Sequence, residues 1–199
     1  MAAYAYYTQD YYGDAISELN RYINNYPLSK NISYAYFLLA ICHYDLIVDE
    51  KKDLSPLLKS KEYFQIILDK YPNTDFALDA KFKLLMINNI LASKELYLGK
   101  YYLQKEKWIP AINRFKTIIE EYSDTEYAPE AIHRLVEVYY KIGLENESKK
   151  YAVTLGYNYQ SNEWYEESYK IFNKEYQNPR QKIKKDKQNL FIRKFKELF

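Results

Sequence analysis

The chain has 199 residues, 48% of them hydrophobic, with four glycines, six prolines and a formal net charge of +2. That length suits one compact domain or a short solenoid with a real core, and so few Gly and Pro residues point to helices with short connections. The near-neutral charge excludes a global pull toward nucleic acid, and no apolar run approaches the roughly 18–20 residues of a membrane span.

Residues 1–9, with Tyr4, Tyr6 and Tyr7, have the pattern of the end of a helix whose beginning is absent; they carry no secretory signal. Residues 11–29 then open an amphipathic helix that closes at Tyr26-Pro27. The next helix contains Cys42, the only cysteine, which excludes an intramolecular disulfide and leaves the redox compartment open. Leu39-Ala40-Ile41 ahead of it resembles a bacterial lipidation signal, yet Ile41 stands where a small residue is required and no basic segment precedes it. A buried helix cysteine is the expectation.

A polar loop follows at 46–56, with Ser55-Pro56 as a helix start. After Tyr71-Pro72 and Thr74, one long helix is expected through Ala80, Leu84, Ile87, Leu91, Leu98 and Tyr102 to about Gln104, tying neighbouring repeats into a rod. Ile109, Ile112, Phe115, Ile119 and Tyr122 give the following helix an apolar stripe, and Leu135, Val138, Tyr139 and Ile142 do so for the one after. Gly143 is a natural C-terminal cap, and Ser161 is expected to cap the last helix of the body.

Aligning the turns at Tyr26-Pro27, Tyr71-Pro72 and Tyr122-Ser123 exposes a repeat. Twelve residues before the second turn residue lie Ala15, Ser60 and Ala111; eight before lie Leu19, Phe64 and Phe115; four before lie Ile23, Leu68 and Ile119. Two after lie Ser29, Thr74 and Thr125, hydroxyls placed to cap the next helix, and eight after lie Ala35, Ala80 and Ala131. Small side chains let paired helices approach while large ones fill the space above them. The pattern resembles the tetratricopeptide (TPR) repeat, although the spacings of 45 and 51 residues exceed its usual period of about 34. The expected fold is all-α, a TPR-like α-solenoid of stacked antiparallel helix pairs over residues 1–176.

Residues 177–199 form a separate tail, with eight basic residues against two acidic ones, a net charge of +6 that leaves −4 on the rest. Ile183, Leu190, Phe191, Phe195, Leu198 and Phe199 give it the pattern of a basic amphipathic helix. A solvated helix or partly disordered tail, a docking element, and contact with anionic membrane or RNA are the open readings.

Chemistry is sparse. The two histidines are His43 and His133; Glu130 and His133 have the spacing of a di-iron ligand pair, but the residue three before His43 is Ala40. Gly-rich phosphate loops and nucleophile elbows do not occur, and Glu120-Glu121 and Glu166-Glu167 have the pattern of solvated faces. The expectation is no enzyme, no cofactor and no metal. The 25 tyrosines at helical spacing read mainly as inter-helix packing with hydroxyls at the rim. A helical repeat presents a concave groove to a peptide or helix, and Tyr6, Tyr7, Tyr34 and Tyr36 are the candidate groove residues.

From Trp108 onward a more specific likeness emerges. Ala111-Ile112-Asn113-Arg114-Phe115, Tyr127-Ala128-Pro129-Glu130-Ala131 with Arg134-Leu135-Val136-Glu137, Leu155-Gly156-Tyr157-Asn158-Tyr159 and the run to Tyr165 resemble the BamD family, the lipoprotein subunit of the outer-membrane β-barrel assembly machine, most of all its alphaproteobacterial members. The resemblance implies a periplasmic scaffold at the outer membrane, with the BamA POTRA domain, the other assembly-machine lipoproteins and unfolded outer-membrane proteins as partners, and no nucleic acid. It also implies that Arg114 pairs with a BamA carboxylate; the alternative is a solvated arginine, or one paired with Glu120 or Glu121 of its own helix. Relative to that family the chain reads as N-terminally truncated, so its only membrane link would be a lipid anchor this sequence lacks. The competing reading is a TPR peptide-binding adaptor of the envelope or cytosol, such as a division or cell-wall cofactor.

Overall fold

The computed structural model describes residues 2–46, 53–160 and 162–174. Among these the chain is all-α and TPR-like, with adjacent helices packed in pairs. It divides into two units, 1–94 and 95–199. The first contains α1 (Ala2–Tyr7), α2 (Tyr12–Asn25), α3 (Ile32–Asp45), α4 (Ser55–Lys70) and the first part of α5 (Asp75–Gln104). The second contains the rest of α5, then α6 (Trp108–Glu121), α7 (Ala128–Lys141), α8 (Glu145–Asn158) and α9 (Glu163–Phe172). The tail at 177–199 and Ser161 lie outside the described residues; the side chain that caps α9 is Asn162, which accepts a hydrogen bond from the Trp164 amide.

The repeat register is visible in burial. Ala15, Ser60 and Ala111 are buried, as are Leu19, Phe64 and Phe115 one turn later. Small size at the first position has a physical partner: Ser60 Oγ donates to the Ala40 carbonyl of α3 at 2.8 Å. A fourth copy of the turn, at Tyr159-Gln160, puts Ser148 in the same place, and Ser148 Oγ donates to the Val136 carbonyl of α7, also at 2.8 Å. Ala40 and Val136 are themselves equivalent, each thirteen residues after its turn residue. Where the small residue is serine, its hydroxyl therefore uses the spare lone pair of a helix carbonyl, so a buried polar group is satisfied inside a close contact.

Two details differ from the sequence reading. The hydroxyls of Thr74 and Thr125 turn back to the preceding turn, and that of Ser29 serves both sides. Thr74 Oγ1 and Thr125 Oγ1 donate backward to the carbonyls of Tyr71 and Tyr122, at 2.8 and 2.7 Å, and Ser29 Oγ meets the Tyr22 hydroxyl at 2.6 Å. For the two threonines the carbonyl of the preceding turn is nearer than the next helix's amides, so each closes the turn it follows, while Ser29 Oγ also accepts from the Asn31 amide at 3.3 Å. Along α6, Ile109 is 73% exposed, whereas Ile118 replaces Ile119 in the core. The buried stripe is inclined one residue from that expected, because Ala111 and Phe115 turn inward and Ile109 falls beyond their arc.

The hairpin-to-hairpin turns also repeat. Asp10, Glu106 and Gly143 have positive φ (61°, 56° and 81°), each seventeen residues before its turn residue. In each, the next amide bonds back to the carbonyl five residues earlier (Tyr11 to Tyr6, Lys107 to Tyr102, Leu144 to Tyr139), a Schellman closure. Only Gly143 adopts that backbone without a Cβ penalty.

Replacing Ser60 with alanine should lower stability by about 1 kcal/mol, the worth of one hydrogen bond, and Ser60→Leu by roughly 1–3 kcal/mol through overpacking. Urea midpoints followed by circular dichroism check the order; a Ser60→Leu midpoint equal to wild type would show that the helices are not in close contact there.

Candidate functional site

The four groove tyrosines do not converge. Within the first unit, a cleft of about 550 Å³ opens between α1, α2 and α3, and of the four only Tyr34 lines it. Its neighbours there are Tyr4, Tyr22 and Glu18 over a floor that includes Leu19, Ala35 and Leu38. Tyr7 instead packs on the α2–α3 core, its hydroxyl donating to Asp45 Oδ2 at 3.3 Å. Tyr36 is engaged in packing, with its ring 6.4 Å from Tyr63 and 6.1 Å from Tyr71, while Tyr6 is exposed. Sequence reading missed Tyr4 and Tyr22; Tyr22 was legible in principle, because it shares the register position of the core residues Ile67 and Ile118.

The same register explains the cleft. Four residues after the turn residue, Phe76 packs against Phe37 with ring centroids 5.3 Å apart, and Trp164 packs against His133 at 5.0 Å. The equivalent residue on α3 is Asn31, which borders open space. An aromatic wedge thus fills the gap between second helices at Phe76 and at Trp164 and is replaced by a short amide at Asn31.

The second unit carries a set of partly buried charges. Arg114 is half-exposed on α6, and its Nη1 donates to both carboxylate oxygens of Glu95 on α5, at 3.2 and 3.1 Å. That partner is neither Glu120 nor Glu121. Nearby in sequence, Glu130 Oε1 accepts from Lys100 Nζ at 3.0 Å and from Arg134 Nη2 at 3.0 Å, and Arg134 Nη1 reaches Glu137 Oε2 at 2.7 Å. Burial alone would raise the Glu130 carboxyl, but Lys100 and Arg134 outweigh it and hold it below the usual range. Burial likewise opposes the Arg134 charge, and Glu137 and Glu130 more than restore it. The Arg134 guanidinium also lies 5.2 Å above the Trp164 ring, so this partly buried network joins α7 to α9.

His133 completes that contact. Its Nδ1 is 2.8 Å from Ser168 Oγ and its Nε2 is 3.7 Å from Glu137 Oε1. A Ser-His-Glu sequence of contacts suggests a nucleophilic triad, but both Ser168 and His133 are buried, so the hydroxyl meets no substrate and the group acts in packing. Glu130 and His133 face separate partners and do not share a metal geometry; among the described residues no three His, Cys, Asp or Glu side chains converge as metal ligands. Cys42 is buried on α3, as its helical setting required. Glu166 and Glu167 are not wholly solvated faces: Lys170 Nζ spans them at 3.1 and 2.8 Å.

Burial, the largest influence, lowers the His133 pKa below its ordinary 6.5, and it lowers that of His43 as well. The unfolded chain therefore binds more protons between the depressed native value and 6.5, and stability falls as pH drops through that window. Urea midpoints at about pH 7.5 and about pH 5.5 should fall on acidification in wild type and fall less in His133→Gln, since His43 still titrates. An identical acid loss in both proteins would remove His133 from the account.

A family model described as YfiO, outer membrane lipoprotein, matches residues 1–155. Over 178 residues the chain is 42% identical to the outer membrane protein assembly factor BamD of Rickettsia prowazekii (strain Madrid E), covering 89% of this chain and 70% of that one. Over 173 residues it is 39% identical to the BamD of Caulobacter vibrioides, covering 87% of this chain and 57% of the relative. Against the BamD of Xylella fastidiosa (strain 9a5c) identity is 32% over 151 residues, with 71% and 52% covered. The chain thus spans somewhat over half the length of these last two relatives.

Proposed function

The chain belongs to the YfiO outer membrane lipoprotein family, whose relatives include the BamD assembly factors, and from that premise we propose that it is a non-enzymatic scaffold for the assembly of outer-membrane β-barrel proteins. It works at the periplasmic face of the outer membrane, with the helical body at 1–176 as the binding part and 177–199 as a separate basic segment. The body engages the POTRA region of BamA, and its N-terminal helices receive segments of unfolded outer-membrane proteins.

The observation that carries this reading is the 42% identity to a named assembly factor across 89% of the chain. Arg114 supports the BamA contact. Its side chain is 42% exposed, and its bonds to Glu95 come from Nη1 alone, so the Nε and Nη2 donors have no acceptor among the described residues. A planar fork held on one side can still hold an incoming carboxylate bidentately on the other. The cleft beside Tyr34 supports the second contact, since its apolar floor and aromatic rim suit a side chain of an extended segment. Tyr6, Tyr7 and Tyr36 stay in the proposal as flanking residues on the same helices.

A purified BamA POTRA fragment should retain the chain in a pull-down, and Arg114→Glu should weaken retention by about tenfold or more, as expected when a charge pair becomes a repulsion. No retention of the unmutated chain would reject the reading.

A further inference from the structure

Stacking covers the same face of the second helix in two of the repeats and leaves it bare on α5. On α3, α4 covers that face: Phe64 meets the Phe37 ring at 5.8 Å, and Ser60 bonds to the Ala40 carbonyl. On α7 the equivalent residues, His133 and Val136, are buried. The equivalents on α5, all within the first unit, are Phe82 and Leu85, flanked along the stripe by Leu78 and Met86. They are 62, 43, 61 and 49% exposed. Large apolar side chains at i, i+4, i+7 and i+8 are the pattern of a helix face made to be covered.

Two further features say what covers it. Asn89 Nδ2 donates to the Leu85 carbonyl at 3.0 Å, taking the bond that Ser60 makes to Ala40, so an incoming helix has to bring small size there and need not bring a donor for that carbonyl. Asp75 and Asp79 share the face by helical spacing at its N-terminal end, and neither has an ion-pair partner among the described residues. We infer that this face of α5 is a docking site for an amphipathic helix of another protein, with a small residue opposite Leu85, a large apolar one opposite Phe82 and a basic one opposite Asp75 and Asp79. Helix α4 presents that pattern to α3: Ser60, Phe64 one turn on, and Lys70 near its C-terminal end, which the antiparallel register carries toward the start of the covered helix.

The α4 sequence is therefore the probe. A fluorescein-labelled peptide of residues 54–72, titrated with the full chain and followed by anisotropy, should bind saturably. Phe82→Glu and Asp79→Lys in the protein, and Ser60→Leu in the peptide, should each weaken binding by about tenfold. Circular dichroism of the two protein variants confirms that they are folded, since both positions are exposed. The inference is overturned by no saturable binding, by equal affinity for the Phe82→Glu protein, or by equal binding of the Ser60→Leu peptide. Sedimentation showing a dimer of the chain that Phe82→Glu dissolves would also overturn it, in favour of a second copy.

Discussion

Everything in the two units rests on how closely successive helices approach. Helix axes pack about 8–10 Å apart, and which end of that range is reached depends on the side chain at the crossing. Here the crossing residue is alanine or serine in all four first helices, and in both serine cases its hydroxyl is anchored on the backbone of the helix it meets. Gly99 carries the same logic further on α5, where a Cβ would lie 2.4 Å from the Phe115 ring. With the approach fixed at these points, phenylalanine, leucine and isoleucine fill the space above, and the register of every pair follows.

Much of this was legible before any coordinates. The long helix was placed from its apolar spacing alone and runs to Gln104 as expected, and Gly143 ends α7 in a left-handed conformation. The fourth repeat was recognised only as helices. Its turn lacks the proline or hydroxyl signature of the others, with Gln160 and Asn162 in their places, and Ala152 stands where they carry Leu or Phe, although Ser148 and Ser168 keep the small positions. Turn chemistry was the weaker guide because a threonine beside a turn has two nearby sets of backbone partners, and sequence does not say which is closer. Asp10 and Glu106 were invisible for a related reason: their positive φ comes with the closure of the turn around them, a backbone that aspartate visits only occasionally and glutamate does not favour.

The candidate sites were less legible than the fold, since periodicity says that a tyrosine lies on a helix and not which neighbour it meets. Tyr7, Tyr34 and Tyr36 are at similar spacings, yet one bonds to Asp45, one rims a cleft and one is wedged between rings. Arg114 was singled out for a carboxylate of a partner, or for Glu120 or Glu121 of its own helix, whereas the carboxylate it meets in its own chain is that of Glu95, nineteen positions away and on another helix. Contacts between helices follow from the repeat register, so an alignment of all four turns from the start would have brought Tyr22, Asn31 and Trp164 into view.

Cys42 has a use that its chemistry makes plain. It is the sole thiol of the chain, buried at the centre of the first unit, and burial pushes its pKa up to about 12. Reaction with an alkylating reagent requires the thiolate and a path to it, and the native fold withholds both. The speed at which such a reagent marks the folded protein is therefore a clock for how often α3 parts from its neighbours, written into the molecule without any added label.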